Sequence, residues 1–195
     1  MERRMALRRT LLSALSAAVL VTLSLLASER SQSSAGAAAG SLLPRAVVVP
    51  MSVVSHFFPE VTREASTGKN SAAVGSARAT RLVIYANADG SRKVTLSVDQ
   101  YATPSDASSA FQEAVEKSKS VPGHKPVSVP TVGQQCMAGV VTQGAETHVG
   151  IGVLDADLII GATIAGYDAT PQNINKLVAL TRQQAAAGKK AMRKH

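Results

Sequence analysis

Aromatic residues are scarce in this sequence: they make up 3% of the 195 residues, and tryptophan is absent. The core must therefore be built from valine, isoleucine, leucine and alanine, and few large rings remain for stacking on bases or sugars. The chain also lacks a CxxC pair, an HExxH pair, an Asp-rich calcium loop and a G-x-S-x-G elbow. We therefore expect no catalytic, metal-binding or cofactor-binding residues and no cofactor.

Cysteine is almost absent as well, since Cys136 is the only one and no intramolecular disulfide can form. The nearest histidine in sequence is His148. If residues 143–146 form a turn between antiparallel strands, Cys136 and His148 lie about five residues apart along the sheet, roughly 16 Å. That separation excludes a nucleophile–base pair, and we predict that Cys136 is a small core residue. The histidines share no metal-ligand spacing: they are His56, His124, His148 and His195.

Net positive charge is almost absent from the body of the chain, although the whole chain has a net charge of +8. Residues 1–9 contribute +3 and residues 189–195 contribute +4, which leaves +1 for residues 10–188. A nucleic-acid-binding domain concentrates basic charge on its folded surface. The distribution therefore argues against a nucleic-acid partner.

The N-terminus carries the strongest signal in the sequence. A basic segment, residues 1–9, precedes an apolar run of 18 residues, 10–27. This pattern is typical of a signal peptide or a retained signal anchor, and both leave the basic end inside and export the rest. Cleavage after Ala27 would put Leu25 at the −3 position, where a small residue is preferred, and both alternatives stay open. An arginine pair in the basic segment also resembles a twin-arginine export motif.

The remaining chain divides by composition. Residues 28–45 are rich in Ser, Ala and Gly and predict a flexible linker. Residues 46–188 predict one folded domain, and residues 189–195 a basic tail. We expect an exported protein, periplasmic or extracellular or anchored by its N-terminal helix. Its partners would be the membrane, through that segment, and an envelope protein.

Alternation of apolar residues predicts three antiparallel strands between Val132 and Gly166, over residues 135–142, 147–154 and 158–165. Further upstream, 81–101 predicts a hairpin in which Ile84 faces Val94 across a three-residue loop with Gly90 in the left-handed conformation. These segments together predict an antiparallel sheet of about five strands.

Helices are predicted on both sides of these strands. A short helix is expected within residues 47–67, with a second helical turn over 61–65. Thr103-Pro104 and Thr170-Pro171 are typical N-cap and first-turn pairs, so helices should run to about Lys119 and about Gly188. The fold class is therefore α+β, a single antiparallel sheet with two to three packed helices.

Glycines are concentrated on one face of the predicted sheet. Strand alternation places the valines and isoleucines around residue 151 on the core face and four glycines on the other: Gly139, Gly150, Gly152 and Gly161. Glycine in a strand marks close approach of another element or a ligand. This glycine face is therefore a helix-packing surface, a ligand groove or, as a third alternative, an exposed surface.

The order of elements, ending in THVGIGVLDADLIIGATIAG and a last helix, resembles small exported bacterial domains of the PsbP-like α/β-sandwich type. Extracellular domains of some bacterial serine/threonine kinases and envelope lipoproteins belong to this group. The resemblance covers about residues 47–188 and implies fold and location, without functional residues. This chain differs in lacking the disulfide pair of the kinase domains and the lipidation cysteine of the lipoproteins.

The sequence thus predicts an extracytoplasmic, non-enzymatic binding or sensor-like module for an unidentified ligand. An envelope assembly or accessory protein is the alternative, and a hydrolytic enzyme without a recognisable motif is a further one. A cleft with converging polar groups would favour the enzyme.

Overall fold

The computed structural model describes residues 41–193. The predicted signal segment, residues 28–40 of the predicted linker and the last two residues lie outside this part of the chain. Eight strands are present: β1 (Ser41–Leu42), β2 (Arg63–Gly68), β3 (Ala79–Ala86), β4 (Lys93–Gln100), β5 (His124–Pro126), β6 (Gln135–Gln143), β7 (Glu146–Asp155) and β8 (Leu158–Ala165). A 3-10 helix (Arg45–Val47) precedes three α-helices: α1 (Met51–Phe57), α2 (Pro104–Lys119) and α3 (Pro171–Met192). Between residues 41 and 193 no helix is both long and apolar enough to span a bilayer.

All eight strands form one mixed sheet in the order β1-β3-β4-β8-β7-β6-β5, with β2 also paired to β3. The predicted α+β class is confirmed, whereas the predicted five-stranded antiparallel sheet is wrong. Strand β1 runs parallel to β3, and the three unpredicted strands, β1, β2 and β5, all lie at the edges. Edge strands this short and polar carry no apolar alternation, so the sequence does not reveal them.

Residues 61–65 do not form the predicted helical turn. Arg63–Gly68 is an exposed strand, antiparallel to β3. Its sequence, REASTG, has no strong intrinsic preference, and the hydrogen bonds offered by the edge of β3 decide its conformation.

The hairpin of β3 and β4 has a different register from the predicted one. Tyr85 lies opposite Val94, and Ile84 lies opposite Thr95. Tyr85 is fully buried on the core face, while Ile84 is half-buried on the other. Because the Tyr85 ring, which is larger than the Ile84 side chain, occupies the core, the pairing differs by one residue from the predicted one. Each residue of β3 therefore lies on the face opposite to the predicted face. Gly90 does adopt positive φ, at 76°.

The predicted three-stranded meander and its register are confirmed. Strand β6 pairs with β7 through Thr142 and Thr147, and β7 pairs with β8 across a tight turn in which Ala156 has φ 54°. One face of these strands, together with β3 and β4, forms the main core against α3, α1 and the 3-10 helix.

Both long helices begin as predicted. Thr103 accepts a hydrogen bond from the Asp106 N–H at 3.1 Å, and Thr170 accepts one from the Asn173 N–H at 3.3 Å. Each is followed by proline at the first helical position. Helix α3 continues to Met192.

A buried glutamine joins the first and last parts of the described chain. Gln184, in α3, accepts a hydrogen bond from the Val49 N–H at 3.0 Å and donates one to the Val47 carbonyl at 2.9 Å. Its side chain is fully buried. These two bonds satisfy backbone groups that the 3-10 helix and the following extended segment leave unpaired.

Candidate functional site

The four glycines lie on the sheet face opposite the main core. Gly139 pairs with Gly150 across β6 and β7, and Gly152 pairs with Gly161 across β7 and β8. Val149, Ile151 and Val153 occupy the other face and are buried in the core. The two neighbouring glycine pairs leave a strip of sheet without side chains.

Helix α2 covers only part of this face. Phe111 and three alanines of α2 pack against Leu154 and Ile159, next to Tyr101. The small alanine side chains allow the helix to approach the sheet closely. Beyond this contact the last turn of α2 borders a cavity, so the glycine face is neither fully packed nor fully open.

The cavity has a volume of about 330 Å³. Three of the four glycines contribute to its lining: Gly139, Gly150 and Gly152. The other lining residues belong to α2, β5 and β6 and are mainly apolar: Val115, Ser118, Lys119, His124, Pro126, Met137 and Ala138. Gly161 lies outside it. A volume in this range and a mainly apolar lining with a few polar groups are typical of small-molecule sites.

His124 forms one wall because Gly139 has no side chain. His124 pairs with Val141 in the β5–β6 ladder, and its ring lies across the neighbouring glycine. A Cβ atom on Gly139 would overlap His124 Nε2 and would stand 2.9 Å from Cδ2. The glycine therefore seats the imidazole beside the cavity.

Lys119 supplies the charged group of the cavity. Its Nζ lies 2.6 Å from Glu116 Oε1, and both side chains are more than half exposed. An exposed ion pair of this kind contributes little stability and exchanges readily with another anion. Lys119 and His124 are thus side chains in the lining that can donate hydrogen bonds to a ligand.

A second, smaller space on the same face contains a buried carboxyl group. Asp99 in β4 is 5% exposed, and both of its oxygens accept hydrogen bonds from Asn70 Nδ2, at 3.0 and 2.9 Å. Burial raises the pKa of Asp99 to about 7, against the opposing effect of the Asn70 amide. The adjoining cavity, of about 20 Å³, is also bordered by Gly161 and Tyr101.

Sequence reasoning missed this carboxyl group although a signal was present. The strand reads KVTLSVDQ, in which Thr95, Ser97 and Asp99 alternate with core residues. These polar positions share the face of the glycines, because Ser97 pairs with Gly161. The partner Asn70 lies in a loop 29 residues away, which the sequence pattern does not reveal.

Cys136 and His148 are kept apart as predicted. Cys136 pairs with Val153 and is packed partly buried against the main core, whereas His148 pairs with Val141 on the glycine face. Burial lowers the pKa of His148, and its Nε2 lies 3.7 Å from Glu146 Oε2. The imidazole therefore lies on the sheet face opposite the thiol.

The remaining polar candidates lie in separate places. His56 is exposed on α1, and His195 lies outside the described residues. Asp155 contacts Lys189 at 2.7 Å, and Asp157 accepts a hydrogen bond from Gln100 at 3.1 Å. Over residues 41–193 no three His, Cys, Asp or Glu side chains converge as a metal site requires.

The chain is similar in structure to a solved extracellular domain. No protein-family profile and no curated protein matches the chain. The extracellular domain of PknH from Mycobacterium tuberculosis is similar at 11% sequence identity and a TM-score of 0.47, covering 72% of this chain and 94% of that one. It is an extracellular domain, the kind of domain that the sequence resembles.

Proposed function

We propose that this is an exported, non-enzymatic binding module and that the cavity on the glycine face is its ligand site. The observation that carries the proposal is a space of about 330 Å³ built on side-chain-free sheet and bordered by the last turn of α2. A sheet that only packed a helix would have this space filled by side chains, because protein interiors are close-packed.

The chemistry of the lining suggests the ligand class. Val115, Pro126 and Met137 offer apolar contact, and the glycine backbone permits close approach of a flat or branched group. Lys119 and His124 both border the cavity and can donate hydrogen bonds. We expect a small, mainly apolar molecule with one acidic or hydrogen-bond-accepting end.

The methionine in the lining provides a direct test. The full chain would be labelled with ¹³C at its methionine methyl groups and titrated with hexanoate, and separately with hexanol. Met137 should show a saturable shift with hexanoate and a weaker response to hexanol, while the exposed Met51 should not respond. Absence of a saturable Met137 shift with either compound would remove the cavity as a binding site.

A substitution distinguishes a site from a packing defect. Gly152→Leu would project a branched side chain into the cavity and should abolish the Met137 response. Gly68→Leu is the matched control, since a Cβ there meets nothing within 4 Å and the residue lies away from the cavity on β2. A Gly152→Leu protein that keeps the full response would contradict the proposal.

A further inference from the structure

The exposed side of α3 carries basic residues and no acidic ones. From Pro171 to the C-terminus the sequence contains six Lys or Arg residues and no Asp or Glu. The core-facing side of the helix is buried, including Leu177, Gln184 and Gly188. Four basic residues line two adjoining surface grooves that share Ala186, and they define the α3 basic patch: Arg182, Lys189, Lys190 and Arg193.

Stabilisation of the helix end accounts for only part of this patch. Basic residues in a last turn interact favourably with the helix dipole, and the effect is confined to that turn. Arg182 lies about three turns from the end of α3 at Met192. Of the acidic side chains in the described residues, Asp155 forms an ion pair with this patch, through Lys189 at 2.7 Å.

The patch lies at the end of the domain where the N-terminal segment enters. Strand pairing places one row of residues across the sheet: Ser41, Ala79, Gln100, Leu158 and Asp155. Asp155 holds Lys189, and Gly188 lies against Leu158. Four strand spacings, about 19 Å, therefore separate Ser41 from Asp155, the residue that contacts Lys189 of α3.

The length of chain before Ser41 limits how far this end can lie from a membrane. Thirteen residues, 28–40, separate the apolar run from Ser41. Even fully extended they span at most about 45 Å, close to the diameter of a domain of this size. In an anchored chain this end of the domain therefore stays within about 45 Å of the bilayer, so the basic patch can reach the membrane surface.

We infer that the α3 basic patch docks on the anionic lipid headgroups of the membrane that the chain crosses. Lysine and arginine near an anionic surface are attracted to it within about a Debye length, and several together are needed for stable association. The inference goes beyond the proposed ligand site, since it uses the opposite face of the sheet and needs no occupant of the cavity.

The test uses the full chain reconstituted in vesicles. A polarity-sensitive, thiol-reactive naphthalene dye would be placed by Ala186→Cys in a Cys136→Ala background, because Ala186 is exposed between the two grooves. The dye emission should shift to shorter wavelength in phosphatidylcholine vesicles that contain phosphatidylglycerol, and not in pure phosphatidylcholine. NaCl at ~1 M, where the Debye length is ~3 Å, should reverse the shift.

Charge reversal gives the decisive comparison. Each basic residue near an anionic surface changes binding by about fivefold, so Lys190→Glu with Arg193→Glu should lower the docked-to-free ratio by about 25-fold or more. Lys117→Glu with Lys125→Glu changes the net charge equally, away from α3, and should leave the shift intact. An equal shift in both vesicle types, or equal loss in both double variants, would overturn the inference. So would an equal shift with soluble polyglutamate, which would assign the patch to acidic polymers in general.

Discussion

The buried carboxyl group of Asp99 makes the stability of the domain depend on pH in an unusual direction. Its pKa in the folded protein is raised from 3.8 to about 7 by burial. Between these values the folded state binds a proton that the unfolded state has lost. The contribution of Asp99 to the stability of the domain is therefore fully present below about pH 4 and is lost as the pH rises toward 7.

The size of this effect follows from the shift. About three pKa units at 1.36 kcal/mol each correspond to roughly 4 kcal/mol of unfolding free energy, as an order of magnitude. Asp99→Asn removes the ionisation while keeping the shape and one acceptor for Asn70. We expect the variant to gain stability relative to the natural protein as the pH rises, by up to about 4 kcal/mol between pH 4 and pH 8.

Urea unfolding followed by far-ultraviolet circular dichroism, at several pH values, measures this difference. Asp89→Asn is the control, because Asp89 is exposed in the β3–β4 turn and hydrogen bonds from Ser91 lower its pKa. The Asp89 side chain is ionised in the folded and unfolded states above pH 5. The difference in unfolding free energy between Asp89→Asn and the natural protein should therefore not change with pH in that range. If the difference in unfolding free energy between Asp99→Asn and the natural protein changes by less than about 1 kcal/mol with pH, the raised pKa of Asp99 and the tight burial of its carboxyl group are both refuted.

Four further substitutions test the packing. Gly166→Ala should destabilise more than Gly144→Ala in thermal unfolding: both have positive φ, but a Cβ at Gly166 overlaps the Ser91 carbonyl and one at Gly144 meets nothing. The strain of positive φ, which both variants share, costs about 1–2 kcal/mol, and the overlap at residue 166 costs about 1–3 kcal/mol more. Equal losses of stability in the two variants would contradict the close approach of the Ser91 carbonyl to Gly166. Gln184→Leu should lower the unfolding free energy by about 2–4 kcal/mol in urea titration, because two buried backbone groups lose their partner. An unchanged unfolding free energy would show that water replaces the glutamine side chain. Cys136→Ala should cost about 1 kcal/mol, and the thiol should react slowly with a maleimide; rapid labelling at neutral pH would place it at the surface.

Local chemistry made part of this fold predictable. The meander from Gln135 to Ala165 follows from strict alternation and two short turns, which fix the register without knowledge of the rest of the chain. The starts of α2 and α3 follow from Thr-Pro pairs, because an N-cap depends on only four neighbouring residues.

Pairings between distant segments escaped prediction. The faces of β3 depend on whether Tyr85 or Ile84 enters the core. Tyr85 does so, and its hydroxyl donates a hydrogen bond at 2.6 Å to the carbonyl of Val49, a residue outside the hairpin. Strand β2 exists because β3 has a free edge, and its own sequence does not require it.

The candidate site was predictable only in outline. The glycine positions follow from alternation, yet the cavity depends on where α2 ends and on the placement of His124 by β5, a strand of three residues. Asn70 reaches Asp99 from a loop whose path over the sheet no sequence rule gives. Sequence reasoning therefore finds the face, and three-dimensional packing decides what lies on it.

The hydrogen bonds of Gln184 also constrain the order in which the domain can be completed during synthesis. The residues they join, Val49 and Gln184, are 135 positions apart, so the first-made segment has no partner until almost the whole chain has been made. Helix α3 covers the sheet only at that stage, and until then the apolar face of β7 and β8 is open to solvent. The domain is therefore completed only near the end of its synthesis, when α3 is available to cover the sheet.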